Sequence, residues 1–340
     1  MEQAGTGSYQ IVGTSSDNTP AASPLSPTLV IRRVWGARRT TGEGPRMNQL
    51  SPHVLDDLSD LVGAALECPV RLMAQPGVPG ETQFHVYDDQ AHRVAVVRWA
   101  DDPAGAQRIL DGATALATLE AHHHGSRLVA PRLLALTTWA GRPLLVQEWG
   151  ATPYPGRVPT RPARYDAERV VVELATIADL DHSYAGDLRA RLQGLPASAF
   201  GDQLLAALDE LGKRHDLDAL PRGAWHGSWS RRTVAAGAHG SVLVREWDRY
   251  GLNRPIGFDT LHFRLDELRG ELRWYGAGTA LVEEAPRILA RWHGRVVVEA
   301  RCVARLLLLE LAARELAEVG PGRAPVAWVA DWIAPTLFSA

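Results

Sequence analysis

Apolar residues fall on one stripe over Ser51–Leu66, where Val54, Leu55, Leu58, Leu61, Val62 and Ala65 recur at helical spacing. Ser51 caps this helix, Pro52 fits its first turn, and Asp56 and Asp57 suit the early dipole. The period then changes from helical to alternating, predicting strands at Val70–Gln75, Gln83–Tyr87 and Val94–Trp99, an antiparallel sheet with one buried face. A helix opens at Asp102-Pro103 and runs to about His122, with Ile109, Leu110, Ala113, Leu116 and Leu119 inward. Leu133–Thr138 and Pro143–Glu148 form a hairpin around Ala140-Gly141-Arg142. From Tyr165 the pattern is helical, over Asp166–Leu180, Tyr184–Leu192, Phe200–Arg214, Leu261–Trp274, Thr279–His293 and Val296–Val319. Glu310 and Arg314 are spaced for an i,i+4 pair, and Leu306–Leu309 reads as a core seam between charges.

Punctuation divides the chain. Gly, Ser, Thr and Pro dominate residues 1–47, which read as a flexible extension. Its Val30–Trp35 patch fits a partner-binding segment and a packed strand fragment equally. A Pro/Gly-rich linker from Thr152 to Pro162 places a boundary near residue 150, between a sheet-bearing part (48–150) and a helical part (151–340). At 340 residues with 46% hydrophobic and 22% charged composition, two substantial cores are expected. A net charge of −3 gives no basic face for nucleic acid. No uncharged apolar span is long enough to cross a membrane, and no signal peptide is visible, so a cytoplasmic location is expected. The two cysteines, Cys68 and Cys302, make no disulfide framework, have no metal-ligand company in sequence, and fit a reducing compartment. Three adjacent histidines, His122-His123-His124, cannot all face one ion from a helix and are read as structural. The only lysine is Lys213; every other strong cation is arginine, a bias that points to a GC-rich genome.

Candidate chemistry concentrates in Ala224–Phe263. This stretch reads as a loop after a helix at His226-Gly227-Ser228-Trp229, a turn at Ala236–Gly240, a strand Ser241–Trp247, and a Gly/Asn/Pro loop ending at Phe258-Asp259. The order resembles the bacterial aminoglycoside phosphotransferase family, whose fold is related to protein kinases. In that family the corresponding runs are H-G-D-W-x-P-W-N, D-W-E-R-F-G and G-F-D-x-L-H. His226, Gly227, Trp229, Trp247, Arg249, Gly251, Gly257, Phe258, Asp259, Leu261 and His262 agree with it. From about residue 50 onward the resemblance implies an α+β, two-lobed kinase-like fold, with a small antiparallel-sheet N-lobe, a larger helical C-lobe and a hinge at the linker. It also implies Asp259 as the residue that fixes the loop and helix start, and ATP and Mg as cofactors where phosphoryl transfer is retained, with no cofactor expected otherwise.

The agreement stops where phosphoryl transfer needs specific groups. Ser228 stands at the catalytic base, where a hydroxyl cannot accept a proton as a carboxylate does, a loss of about 10²–10⁴ in rate. Thr233 replaces a metal-binding asparagine, and Glu246 replaces a metal-binding aspartate, with Asp248 on the same face if the strand persists. The N-lobe lysine is absent, with Arg98 its nearest substitute, and Gly112 falls near the helix glutamate, with Asp111 the nearest carboxylate. Pro76-Gly77-Val78-Pro79-Gly80 occupies the place of the phosphate-covering loop with two amide donors removed. Arg231 and Arg232 read as solvated, and His226 as a residue of loop geometry.

Three readings follow. The first is a pseudo-phosphotransferase that binds a protein, a peptide or a small molecule in the inter-lobe cleft within a bacterial biosynthetic or regulatory complex. The second is a residual ATP-dependent small-molecule or peptide phosphotransferase, with Glu246 or Asp248 on metal and Arg98 on phosphate. The third uses Ser228 as a nucleophile and requires a base within reach.

Overall fold

The computed structural model describes residues 52–75, 78–122, 127–149, 161–174, 182–271, 276–290, 299–319 and 327–338. The extension 1–47, the linker after Trp149 and the His123-His124 pair lie outside them, as do Pro76 and Gly77. Helix α1 (Pro52–Leu66) leads into strands β1 (Arg71–Gln75), β2 (Glu81–Tyr87) and β3 (Arg93–Ala100). Helix α2 (Pro103–His122), β4 (Leu128–Val129), β5 (Leu133–Trp139) and β6 (Arg142–Glu148) follow. The main sheet is antiparallel in the order β1-β2-β3-β6-β5. Ala140 and Gly141 both take positive φ, 48° and 76°, so the β5–β6 turn has the twist that a tight hairpin needs.

Strand alternation sorts the two faces. Ala95, Val97 and Trp99 pack with Phe84, Val86, Leu144 and Val146 against Leu58 and Val62 of α1. The opposite face, bearing Ala100 and Leu145, meets Ile109 and Ala113 of α2. Arg98, out of phase with 97 and 99, therefore points toward α2.

The C-lobe comprises α3 (Arg161–Leu174), α4 (Tyr184–Gln193), α5 (Ala199–Arg214), β7 (Arg222–Trp225), β8 (Val234–Ala236), β9 (Val242–Val244), β10 (Gly251–Pro255), α6 (Phe258–Glu271), α7 (Ala277–Leu289), α8 (Ala300–Val319) and α9 (Ala334–Phe338). Its core surrounds α8, in which Leu306 to Leu309 are fully buried. Among the described residues no helix is long and apolar enough to cross a membrane.

Three local expectations are corrected. The strand predicted to reach Trp247 ends at Val244, because Glu246 adopts a left-handed φ of 62° and Trp247–Arg249 forms a 3-10 turn. The His226 loop follows strand β7, not a helix, and β7 pairs antiparallel with β10, a strand hidden by Gly251, Asn253 and Pro255. Glu310 and Arg314 serve different partners. Glu310, 2% exposed, receives two bonds from Arg191 at 2.6 and 2.7 Å, and Arg314 donates to the Gly227 carbonyl at 2.8 Å.

Burial presses the Glu310 carboxyl toward neutrality, but the Arg191 bonds and the charges of Arg254, Arg191 and Arg314 outweigh it and hold its pKa below the ordinary value. A depressed carboxylate contributes stability above its unfolded pKa and loses it as pH falls through the folded one. Glu310→Gln is expected to cost about 2–3 kcal/mol at neutral pH, below the full cost of breaking a buried pair because Arg191 keeps partial solvent contact. Urea unfolding checks this; a cost unchanged at acid pH would assign the loss to packing instead of charge.

Candidate functional site

The loop after β7 is held by buried groups of three helices and strands. Asp259, in the first turn of α6, accepts from the backbone N–H of His226 at 2.8 Å and of Gly227 at 3.2 Å. Gly227 has φ +80°, and a Cβ there would collide with the Arg249 carbonyl, so glycine is the residue the crossing admits. His226 is fully buried, edge-on to Trp247 with ring centroids 4.6 Å apart. Its Nδ1 accepts from the Ser228 N–H at 3.2 Å, which leaves Nε2 to donate to the Arg245 carbonyl at 2.7 Å. Burial lowers its pKa to about 4, so the ring is neutral and both nitrogens serve loop geometry.

Ser228 is half-buried and contributes its carbonyl as an acceptor for Thr233 Oγ1 at 2.6 Å. Thr233, 2% exposed, also accepts from the Ser230 N–H at 3.0 Å. Its hydroxyl thus ties a tight loop instead of facing outward with an open ligand position. Arg231 and Arg232 are exposed, Arg231 reaching Glu267 at 3.3 Å.

Arg98 is largely enclosed, its side chain 12% exposed, and it does not meet Asp111, which is exposed and accepts from Gln107 at 2.8 Å. The partner is Glu81, 3% exposed, at 2.7 Å from Nη2 and 2.8 Å from Nε. Glu81 also takes Arg108 of α2 at 2.8 Å. Cross-strand register explains the pairing: Arg98 lies opposite Gln83, and Glu81 is its diagonal neighbour on the same face. On the far side, Asp248 Oδ1 lies 3.8 Å from Arg98 Nη1. Gly112 closes the gap between them, with a Cβ position 3.5 Å from Arg98 and 3.7 Å from Asp248. Since the strand ends at Val244, Glu246 and Asp248 share a turn and not a strand face. Glu246 is exposed, yet protein around its carboxyl, then the charge of Asp248, raises its pKa above the ordinary value.

Solved structures share this arrangement of elements. An aminoglycoside phosphotransferase APH(4)-Ia in ternary complex with ADP and hygromycin B matches 77% of this chain and 92% of its own, at 14% identity and TM-score 0.50. The GDP complex of aminoglycoside 2'-phosphotransferase-IIIa matches 81% and 95%, at 9% identity and TM-score 0.51. The fold is that of the aminoglycoside phosphotransferases. No protein-family model and no curated protein matches the chain.

Within this phosphotransferase fold the structure also brings together groups that the sequence pattern left apart. Glu168 of α3 is 1% exposed, accepts from Thr260 Oγ1, and is approached by the Trp229 indole without a closed hydrogen bond. Burial, assisted by the charge of Asp259, raises it to about 8 against the Thr260 bond and the Arg164 charge. Asp259 is raised to about 7 by burial, against the two backbone bonds it accepts. Cys302, without metal-ligand company in sequence, has it in space: His215 and Glu299 lie beside it, joined by a turn at the end of α5 that no local pattern reveals.

A carboxyl whose folded pKa is raised makes stability fall as pH rises between the unfolded and folded values. His226 acts oppositely, but only below its ordinary value of 6.5. Between pH 6.5 and about 8, stability is therefore expected to decline, by at most about 1.4 kcal/mol per pH unit for each such group. Glu168→Gln is expected to flatten that decline and to be at least as stable as wild type at pH 8. Denaturant midpoints against pH measure it; an unchanged slope would mean Glu168 is ionised in the folded protein.

Proposed function

We propose that this chain is a pseudo-phosphotransferase, a kinase-like fold that acts by binding and not by phosphoryl transfer. The observation that supports this most is the double engagement of Arg98, between Glu81 at 2.7 Å and Asp248 at 3.8 Å. A phosphate seeking that guanidinium has to break into a buried, hydrogen-bonded pair, which costs about 3–5 kcal/mol when a partner is lost. A metal ion seeking Asp248 meets the Arg98 charge. Ser228 offers no base, and the Thr233 hydroxyl is committed to the loop. Three requirements of phosphoryl transfer, namely a phosphate cation, a metal carboxylate and a base, are thus answered within the protein or unmet.

The binding role would use the cleft between the sheet-bearing and helical parts, for a small molecule, a peptide or a partner protein of a bacterial complex. Similar folds hold ADP with hygromycin B, and GDP. That precedent supports the cleft as a ligand site and names no ligand for this chain. Residual ATP-dependent transfer to a small molecule or peptide is the second reading. It is favoured by the exposure of Glu246 next to Asp248, which leaves one carboxylate not claimed by Arg98.

A thermal-shift titration with ATP, with and without magnesium, separates the two. Wild type and Ser228→Asp are both expected to show no magnesium-dependent rise in Tm, since a base does not free Arg98 or Asp248. Binding at 100 times Kd stabilises by about 2.7 kcal/mol, several degrees for a chain of this size. A magnesium-dependent rise in the wild type, with phosphorylated product on mass analysis, would overturn the proposal.

A further inference from the structure

Helix α5 ends at Arg214, and His215 caps it with extended backbone, φ −138° and ψ 142°, its N–H donating to the Leu211 carbonyl. That conformation turns the imidazole away from the α5 axis toward the start of α8. There Glu299 and Cys302, three residues apart, lie on one side of the opening turn, as helical spacing dictates. The His215 ring nitrogen, a Glu299 carboxylate oxygen and the Cys302 sulfur all lie within 4.8 Å of one another. Ligand atoms on a tetrahedral zinc are roughly 3.2–3.6 Å apart, given bonds of about 2.0–2.3 Å. With 4.8 Å as their widest separation, the three atoms are within a short adjustment of that geometry.

Two details separate this trio from an ordinary ion pair beside a cysteine. His215 Nδ1 and Glu299 Oε2 are 2.5 Å apart, yet Oε2, which is closed to solvent, takes no hydrogen bond of acceptable geometry. A carboxylate oxygen closed to solvent and left without a hydrogen bond is one that a cation can satisfy. The second detail is access. His215 lines a cleft of about 500 Å³, bounded by Arg189, Leu208, Gly212, Lys213 and Leu217, through which an ion and its water can enter. Cys302 itself is 2% exposed and belongs to the C-lobe core, so of the three side chains it is His215 that meets the cleft. Burial, then the Glu299 charge, pushes the Cys302 thiol up to about 12 against the Arg305 charge, so without an ion the sulfur stays protonated.

We propose that His215, Glu299 and Cys302 form a transition-metal site of the zinc class, with water from the cleft as fourth ligand. One nitrogen, one oxygen and one sulfur donor suit Zn²⁺ and disfavour Mg²⁺ and Ca²⁺, which take oxygen donors. On binding, the Cys302 S–H proton and any proton between His215 and Glu299 pass to solvent, and the pair spreads by under about 1 Å to reach zinc geometry. None of the three ligands belongs to the loops of the phosphotransfer site, so the inference stands whether or not that site is active. The ion would pin the end of α5 to the start of α8.

Cobalt reports the sulfur directly. Full-length protein stripped with chelator and titrated with Co²⁺ is expected to bind one ion per chain. A thiolate-to-cobalt charge-transfer band, with the visible bands of a tetrahedral ion, should appear and be displaced by Zn²⁺. Cys302→Ser should remove the charge-transfer band, and His215→Gln should weaken Zn²⁺ binding by at least about 10-fold, a loss even outer-shell changes can reach. Replacing His122, His123 and His124 by Gln should leave both readouts unchanged. Absence of the charge-transfer band in folded wild type overturns the proposal. So does Zn²⁺ affinity insensitive to His215→Gln, or lost with the triple-histidine variant. Should Cys302→Ser fail to fold, the wild-type cobalt spectrum and Glu299→Gln decide the matter.

Discussion

The Asp259 carboxylate is the constraint on which the rest of the site depends. It is 6% exposed and receives the N–H groups of His226 and Gly227, so the first turn of α6 holds the loop that leaves β7. Arg314 of α8 holds the Gly227 carbonyl, and His226 Nε2 holds Arg245 beyond the end of β9. The two bonds to Asp259 satisfy buried backbone groups, and leaving one unpaired costs about 1–3 kcal/mol. The loop shape is therefore enforced by stability alone. No group at position 228 or 233 is needed for it beyond the Thr233 hydroxyl, which shortens the loop from within.

This division explains why agreement and departure separate so sharply along Ala224–Phe263. Residues that bury or clamp, such as Trp229, Trp247, Gly227 and Asp259, cannot change without a cavity, a clash or an orphaned polar group. A base carboxylate would contribute nothing comparable to folding, so the architecture stands with Ser228 at that position. The N-lobe follows the same logic by another route. Arg98 needs a buried counter-charge, and Glu81 supplies it from the neighbouring strand, so α2 can carry Gly112 where a side chain would otherwise intrude. The absence of that side chain brings α2 directly against the Trp247–Arg249 turn.

What the sequence disclosed follows from which forces are local. The α1 stripe and the alternation in β2 and β3 are periodic burial against one neighbour, and they emerged within a residue or two of the observed ends. Strand β10 escaped because its pairing with β7 tolerates Gly251, Asn253 at φ 60° and a terminal Pro255, residues that signal a loop when read alone. The early end of β9 depends on one left-handed residue, Glu246, of a type that seldom adopts that conformation. Glu81, Glu168 and the His215–Glu299–Cys302 trio draw their meaning from contacts across 17 to 92 residues. Local patterns carry no trace of these.

Charge at the loop site leads to the same end by a separate argument. A divalent cation is held where negative charge is left uncompensated. Asp248 is met by Arg98, and the Glu246 carboxyl is pushed toward its neutral form by its surroundings and by Asp248. Ser228 and Thr233 add no charge, while Arg232 is exposed on the same loop. The local balance is close to neutral, so a single carboxylate placed at 228 would add a base without building a cation site. Magnesium binding at Asp248 would require its release from Arg98, which in turn requires that Glu81 alone satisfy the enclosed guanidinium. These three positions form one coupled unit, and their effects should be measured together instead of summed.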